Sequence, residues 1–179
     1  MIDQKSKDIM LRVAMQEVSK EELRNLLPDY SGDANLIRMY YRVIESKDSE
    51  GLQHLNMLPK DDIFSYLNIE KKLLSEDWHT THEDLVGFFQ LVFNNDSENI
   101  PVLLKSIDNV PAYLQEDDFK YPYIRKLIYA IGAQPEPYNI EALEKLANET
   151  EDEQIRELAL HQIEKRKKLG RWEAAKNAQ

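Results

Sequence analysis

The sequence contains no cysteine, which excludes disulfides and thiolate metal sites outright. It has only five glycines, and none of them sits in a phosphate-binding loop or in a Gly-x-Ser-x-Gly nucleophile turn. Long apolar runs are also missing. The longest stretch without a charge, 85–95, is eleven residues, well short of the ~20 that a membrane-spanning helix needs. The opening "MIDQKSKDIMLR" lacks the basic-then-apolar order of a secretory signal. No useful stretch alternates apolar with polar residues, so the pattern calls for no strands. Together these features point to a soluble, cytoplasmic, all-α chain.

What the chain does have is charge, unevenly placed. The formal net charge is −10. The last nineteen residues carry six Lys/Arg and two Glu, a net of +4, which leaves −14 on residues 1–160. An acidic body repels nucleic acid and anionic membrane and steers a basic partner towards itself, although acidity also serves solubility alone.

The apolar residues recur with helical spacing. Stripes run through Leu11, Ala14, Met15 and Val18; Leu36, Tyr40, Val43 and Ile44; and Leu85, Phe88, Phe89 and Val92. Two more run through Ile100, Leu103, Leu104 and Ile107, and through Ile124, Leu127, Ile128 and Ile131. Start and stop signals divide them into about nine or ten helices. Ser19-x-x-Glu22 is a capping box, and Pro28 closes that helix. Gly32-Asp33 opens the next. Ser49, Asp61 and Ser97 stand as further starts, and "QPEP" at 134–137 breaks the chain. The stretch from Asp108 to Lys120 reads as a longer polar connection.

The helices also repeat. "IPVLLKSI" (100–107) and "IEALEKLA" (140–147) share Ile, Leu and Lys in register, and each precedes a helix with an Ile-Arg pair, at 124–125 and 155–156. "HEDLVGFFQLV" matches the second helix of an earlier pair. On these residues, and on Asp152-x-x-Ile155-Arg156-x-x-Ala159, residues 78–168 resemble bacterial HEAT-type repeats. The last pair departs from the earlier one at Glu141, which replaces Pro101, and Arg125 stands one place closer to Gly132 than is usual. The resemblance implies a single domain, 1–179, built as a short α-solenoid of stacked antiparallel helix pairs. Residues 1–77 would be divergent helices and 169–179 a basic tail. An irregular helical bundle is the competing arrangement. The small acidic HEAT-like proteins of bacteria resemble immunity proteins, so the resemblance also implies a protein that neutralises a cognate basic toxin, such as a nuclease, by binding it. A general scaffold or adaptor is the alternative, with an enzyme or nucleic-acid binder behind it.

Three stretches invite chemistry. "DWHTTHED" (77–84) places His79 and His82 beside carboxylates, as a metal site might, but lacks the His-Glu-x-x-His spacing of zinc peptidases. Thr80-x-x-Glu83 and Thr81-x-x-Asp84 are capping boxes that start a helix there and leave His79 outside it. Trp78, His82 and Glu83 then remain as contact residues at the helix mouth. "QEDDFKYPY" (115–123) sets Glu116, Asp117 and Asp118 before Phe119, Tyr121 and Tyr123, pairing acids that attract a basic surface with aromatic anchors. Its other reading is a solvated loop whose aromatics tuck inward. "KRKKLGRW" (165–172) reads as a basic helix end stopped by Gly170, with Trp172 folded back. The expected site is therefore a protein-binding one, with no catalytic residue, metal or cofactor, and with neither nucleic acid nor membrane as partner.

Overall fold

The computed structural model describes the backbone of residues 2–91 and 96–177 and the side chains of 2–90 and 96–170. Among the described residues there are ten α-helices and no strand. The chain divides into two compact units, Met1–Thr81 and His82–Gln179. No helix among the described residues is long and apolar enough to cross a membrane.

The first unit holds α1 (Gln4–Ala14), α2 (Lys20–Leu26), α3 (Asp33–Ser46), α4 (Ser49–Asn56) and α5 (Leu67–Leu74), with short 3₁₀ turns at Pro28–Tyr30 and Ile63–Tyr66. The Ser19–Glu22 capping box forms as the sequence predicts, and α2 ends before Pro28. Helix α3 packs on α4 and α5, and α1 on α2 and α4. Two clamps tie the unit's connections together. The Asp33 carboxylate accepts from the Asp61 and Asp62 amides at 3.0 and 2.8 Å and from the Tyr66 hydroxyl at 2.7 Å. Glu70, buried, pairs with Lys60 at 2.7 Å, and that ammonium also lies over the Tyr66 and Tyr40 rings. A buried polar group of this kind is costly without such partners.

Several predicted starts shift. Asp48, not Ser49, caps α4, because its carboxylate accepts from the Gly51 amide at 2.9 Å. The run after Pro59 first makes a 3₁₀ turn capped by Asp62, and the α-helix proper begins at Leu67. The stripe Leu11–Val18 is not a buried face. Helix α1 ends at Ala14, Gln16 takes a left-handed φ of 62°, and Leu11 and Met15 stay exposed while Ile9 and Met10 are buried.

The second unit holds α6 (His82–Leu91), α7 (Asn99–Asp108), α8 (Asp117–Gly132), α9 (Tyr138–Glu149) and α10 (Glu153–Asn177), with a 3₁₀ turn at Ala112–Leu114. Helix α8 packs against α6, α7, α9 and α10, while α9 also meets α7 and α10. Tyr123, Ile124, Leu127, Ile128, Ala130 and Ile131 of α8 have no exposed surface. The Asp152-to-Ala159 motif builds the α9–α10 joint. Asp152 accepts from the Gln154 and Ile155 amides, Arg156 donates to the Thr150 and Ala147 carbonyls, and Ala159 is fully buried. Orphan groups at both helix ends are thereby satisfied by two side chains.

Here too some expectations fail. Ser97 does not cap α7, whose first flanking residue is Glu98. The long polar connection is interrupted by the 3₁₀ turn and ends at Glu116, because α8 begins at Asp117 and carries Pro122 inside it. Gly170 does not stop α10, which runs on to Asn177. Val92 and the side chain of Trp172 lie outside the described residues.

Gly132 marks where α8 and α10 come closest. A Cβ there would lie 2.1 Å from Gln162 Nε2 and 2.8 Å from its Cγ, and Gln162 is itself buried. Gly132→Ala is expected to destabilise the protein by about 1–3 kcal/mol through overpacking. Gly87, on α6 with no atom within 4 Å of an added Cβ, should respond oppositely, with Gly87→Ala gaining about 0.5–1 kcal/mol of helix propensity. Thermal or denaturant unfolding of the two variants measures both signs.

Candidate functional site

The stretch Asp77–Asp84 spans the division between the two units, so its residues work locally on either side of it. In the first unit, His79 is buried, and its Nε2 donates to the Leu73 carbonyl at 2.9 Å near the end of α5. Its Nδ1 accepts from the Thr81 amide at 3.3 Å and lies 3.2 Å from the Thr81 hydroxyl. These partners fit a neutral ring protonated on Nε2. Burial lowers the His79 pKa, against the opposing pull of the Leu73 carbonyl and the Glu76 carboxylate. Trp78 sits edge-on to this ring, 4.9 Å between centroids, and donates from Nε1 to Glu76 at 3.0 Å.

The predicted capping boxes do not form as boxes. Helix α6 begins at His82 and leaves His79 outside it as expected, but the Thr81 hydroxyl turns to His79. The Glu83 carboxylate reaches Lys126 of α8 at 2.8 Å instead of turning back to Thr80. Both partners of that pair are half-exposed, so it contributes at most about 1 kcal/mol and acts chiefly to set where Glu83 points. Among the described residues, no group of three His, Cys, Asp or Glu is arranged to hold a metal ion.

In the second unit the two candidate stretches meet. His82, buried, brings its Nδ1 to 3.1 Å from the Tyr113 hydroxyl, and its own amide donates to that oxygen at 3.3 Å. The His82 ring also lies edge-on to Tyr123, 6.5 Å between centroids. The start of α6 thus packs against the first turns of α8 through Tyr113 and Tyr123. Tyr113 and Lys126 complete this edge but escape the sequence reading. Tyr113 follows Pro111 inside what reads as featureless connection, and Lys126 is one of three cations on α8, beside Arg125, with nothing in the sequence to mark it.

The six remaining predicted residues, at the start of α8, split three ways. Glu116, Asp117 and Asp118 are exposed and make no ion pair among the described residues at the start of α8, where the helix dipole favours negative charge. Phe119, 53% exposed, stands beside them with its ring open to solvent. Tyr121 points elsewhere, donating to Asp152 at 3.0 Å, which raises its pKa. Tyr123, the third aromatic of the supposed interface, is fully buried and is core. Its pKa is pushed up by burial, with the nearby Tyr113 and Glu83 adding to the effect. Its hydroxyl finds no hydrogen-bond partner among the described residues.

Within the second unit the acids gather ahead of the basic end of α10. Residues 82–160 hold sixteen Asp/Glu against six Lys/Arg, a net of −10, whereas residues 1–81 hold fifteen against eleven, a net of −4. The basic run of α10 is largely occupied. Lys167 pairs with Glu144 at 3.1 Å, Lys168 with Glu164 at 2.7 Å, and Lys165 lies over the Tyr129 ring. The exposed edge is therefore acidic with aromatics beside the acids: Glu83 and Asp84 at the mouth of α6, next to Tyr113, and Glu116 to Asp118 at the mouth of α8, next to Phe119 along the chain. Such an edge can bind a cationic surface.

Two outcomes follow from the buried groups. Replacing Tyr123 by Phe removes an unpartnered hydroxyl from the core, so stability should hold or rise by up to about 1–3 kcal/mol in denaturant unfolding. Because the folded pKa of His79 is depressed, its contribution is full above about pH 6.5 and is lost as the pH falls through the folded value. Asp3, Glu22 and Asp33, whose carboxyls hydrogen bonding holds low, lose theirs only below about pH 4. Acid titration of stability should show the first loss in the native chain and not in His79→Gln, with the second loss present in both. No protein-family model, curated protein or solved structure matches this chain.

Proposed function

We propose that the chain is a non-catalytic, protein-binding helical repeat of HEAT-like build whose target is a basic protein, in its specific form a cognate toxin domain that it neutralises as immunity proteins do. The observation that carries this reading is the exposed edge of the second unit. Two groups of acids, Glu83 with Asp84 at the start of α6 and Glu116 to Asp118 at the start of α8, stand next to the 39% exposed Tyr113 and, along the chain, the open ring of Phe119 respectively. Aromatic anchors beside charges of one sign suit a partner of the opposite sign, because the charges speed encounter and the rings supply affinity on desolvation. A nuclease is basic because its substrate is anionic, so it fits the sign of this edge.

The packing supports a repeat-like stack. The second helices α6, α8 and α10 are consecutive neighbours, and the first helices α7 and α9 touch. A bundle without repeat order has no reason to sort its helices this way.

Co-expression with the product of the neighbouring gene, followed by pull-down and growth rescue, tests the proposal. A tight complex is expected. Joint neutralisation as Glu116→Gln, Asp117→Asn and Asp118→Asn should weaken it by about tenfold or more in low salt, an effect that shrinks as salt rises. Phe119→Ala should cost about 1–2 kcal/mol. Absence of both a complex and growth rescue would remove the toxin reading. Moderate affinity spread over several partners would favour a general scaffold.

A further inference from the structure

Helices α7 and α9 leave an open groove between them, away from the residues of the acidic edge. One stretch, of about 310 Å³, is lined by Leu104, Ile107, Leu146 and Ile155, with Asp108 and Glu149 at its margin. A second, of about 400 Å³, is lined by Pro101, Tyr138 and Glu141 among others, and shares Leu104, Ala142 and Lys145 with the first. Early residues of α7 face early residues of α9 and late ones face late ones, so both helices run the same way along the groove. Their C-terminal ends close the same end of it.

The floor is aliphatic and the margin is acidic. Three carboxylates, Asp108, Glu141 and Glu149, stand against one cation, Lys145, and that cation is already 3.9 Å from Glu149. Asp108 and Glu141 make no ion pair among the described residues. At the Asp108–Glu149 end the two helix C-termini add their own negative dipole ends, which favour a cation there. At the other end Tyr138, 53% exposed, offers an aromatic wall. The ten residues of α7 make the groove roughly 15 Å long, room for about three turns of a helix.

We propose that this groove docks a short, basic, amphipathic helical segment of a protein partner. An apolar side chain sits over Leu104 and Ala142, and a Lys or Arg sits at the Asp108–Glu149 end. The proposal rests on the reading of the chain as a binder of basic protein but assigns a second, separate contact to it. Charge complementarity selects the occupant, since an acidic segment would meet three carboxylates and two negative helix ends.

The test uses the full chain, isotope-labelled for NMR, titrated with a short peptide of leucine and lysine spaced to form one apolar helix face, and with its glutamate-for-lysine counterpart. Saturable shifts at Leu104, Ala142, Lys145 and Leu146 are expected with the lysine peptide and not with the glutamate one. Ala142→Gln, which fills the floor with a neutral chain, should weaken binding by about tenfold. Asp108→Lys combined with Glu149→Lys should reverse the preference between the peptides. Circular dichroism melts check that both variants fold. Shifts confined to residues 116–119 would overturn the groove and leave the acidic-edge reading standing. Equal binding of both peptides, or no saturable binding in the groove, would overturn the proposal as well. A cognate complex that forms while the groove stays silent to the lysine peptide separates its failure from that of the parent reading.

Discussion

The burial of α8 is the constraint on which the second unit depends. Six of its side chains lose all contact with solvent, and four other helices pack against it. Burying a Leu, Ile or Tyr side chain is worth about 1.5–3 kcal/mol each, so this one helix supplies a large share of the unit's apolar driving force. The same packing leaves little slack. Gly132 permits α10 to approach, and where α6, α7 and the end of α8 meet, the Asn99–Gln134 hydrogen bond at 2.9 Å, with Gln134 donating onward to the Phe89 and Ala130 carbonyls, satisfies buried polar groups.

The proposed binding edge lies at the end of α8 that the core does not need. The helix begins with three acids and an open phenylalanine before its first buried side chain, Tyr123. A rigid element thus carries an adaptable edge, positioned by the contacts that hold the core. The His82–Tyr113 contact and the Glu83–Lys126 pair fasten the mouth of α6 beside that edge. The cost of placing acids together is moderated because both groups stand at helix N-termini, where the dipole favours them.

Much of the fold was legible because helix periodicity is strong wherever one face is buried. The stripes on α3, α7 and α8 are buried or half-buried as their spacing implies. The failures have local causes. Leu11 and Met15 fit a helical template, but α1 stops at Ala14, and periodicity carries no information about where a chain turns away. Ser49 and Ser97 look like caps, yet the flanking positions fall to Asp48, one residue before the first, and to Glu98, one residue after the second, and a single sequence does not show which neighbour holds the flanking backbone angles. The site was half legible. Three acids followed by aromatics stood out, but reading the segment as extended placed Tyr121 and Tyr123 beside Phe119. On a helix Tyr121 points away from the other two and reaches Asp152, whereas Phe119 and Tyr123 share a face, and Tyr123 enters the core while Phe119, in the first turn, stays open to solvent. Pro122 encouraged that error; it sits in the second turn of α8 and forfeits a single hydrogen bond there.

The central claim is that α8 is a buried keystone whose first turn is free to serve a partner. Native-state hydrogen exchange on the full chain tests this most directly. The account predicts that amides of Ile124 to Ile131 are among the slowest in the second unit, exchanging only with its cooperative unfolding, while those of Asp118 to Lys120 exchange by local opening orders of magnitude faster. Uniform protection along the whole helix, or fast exchange at Ile124 to Ile131, would contradict it.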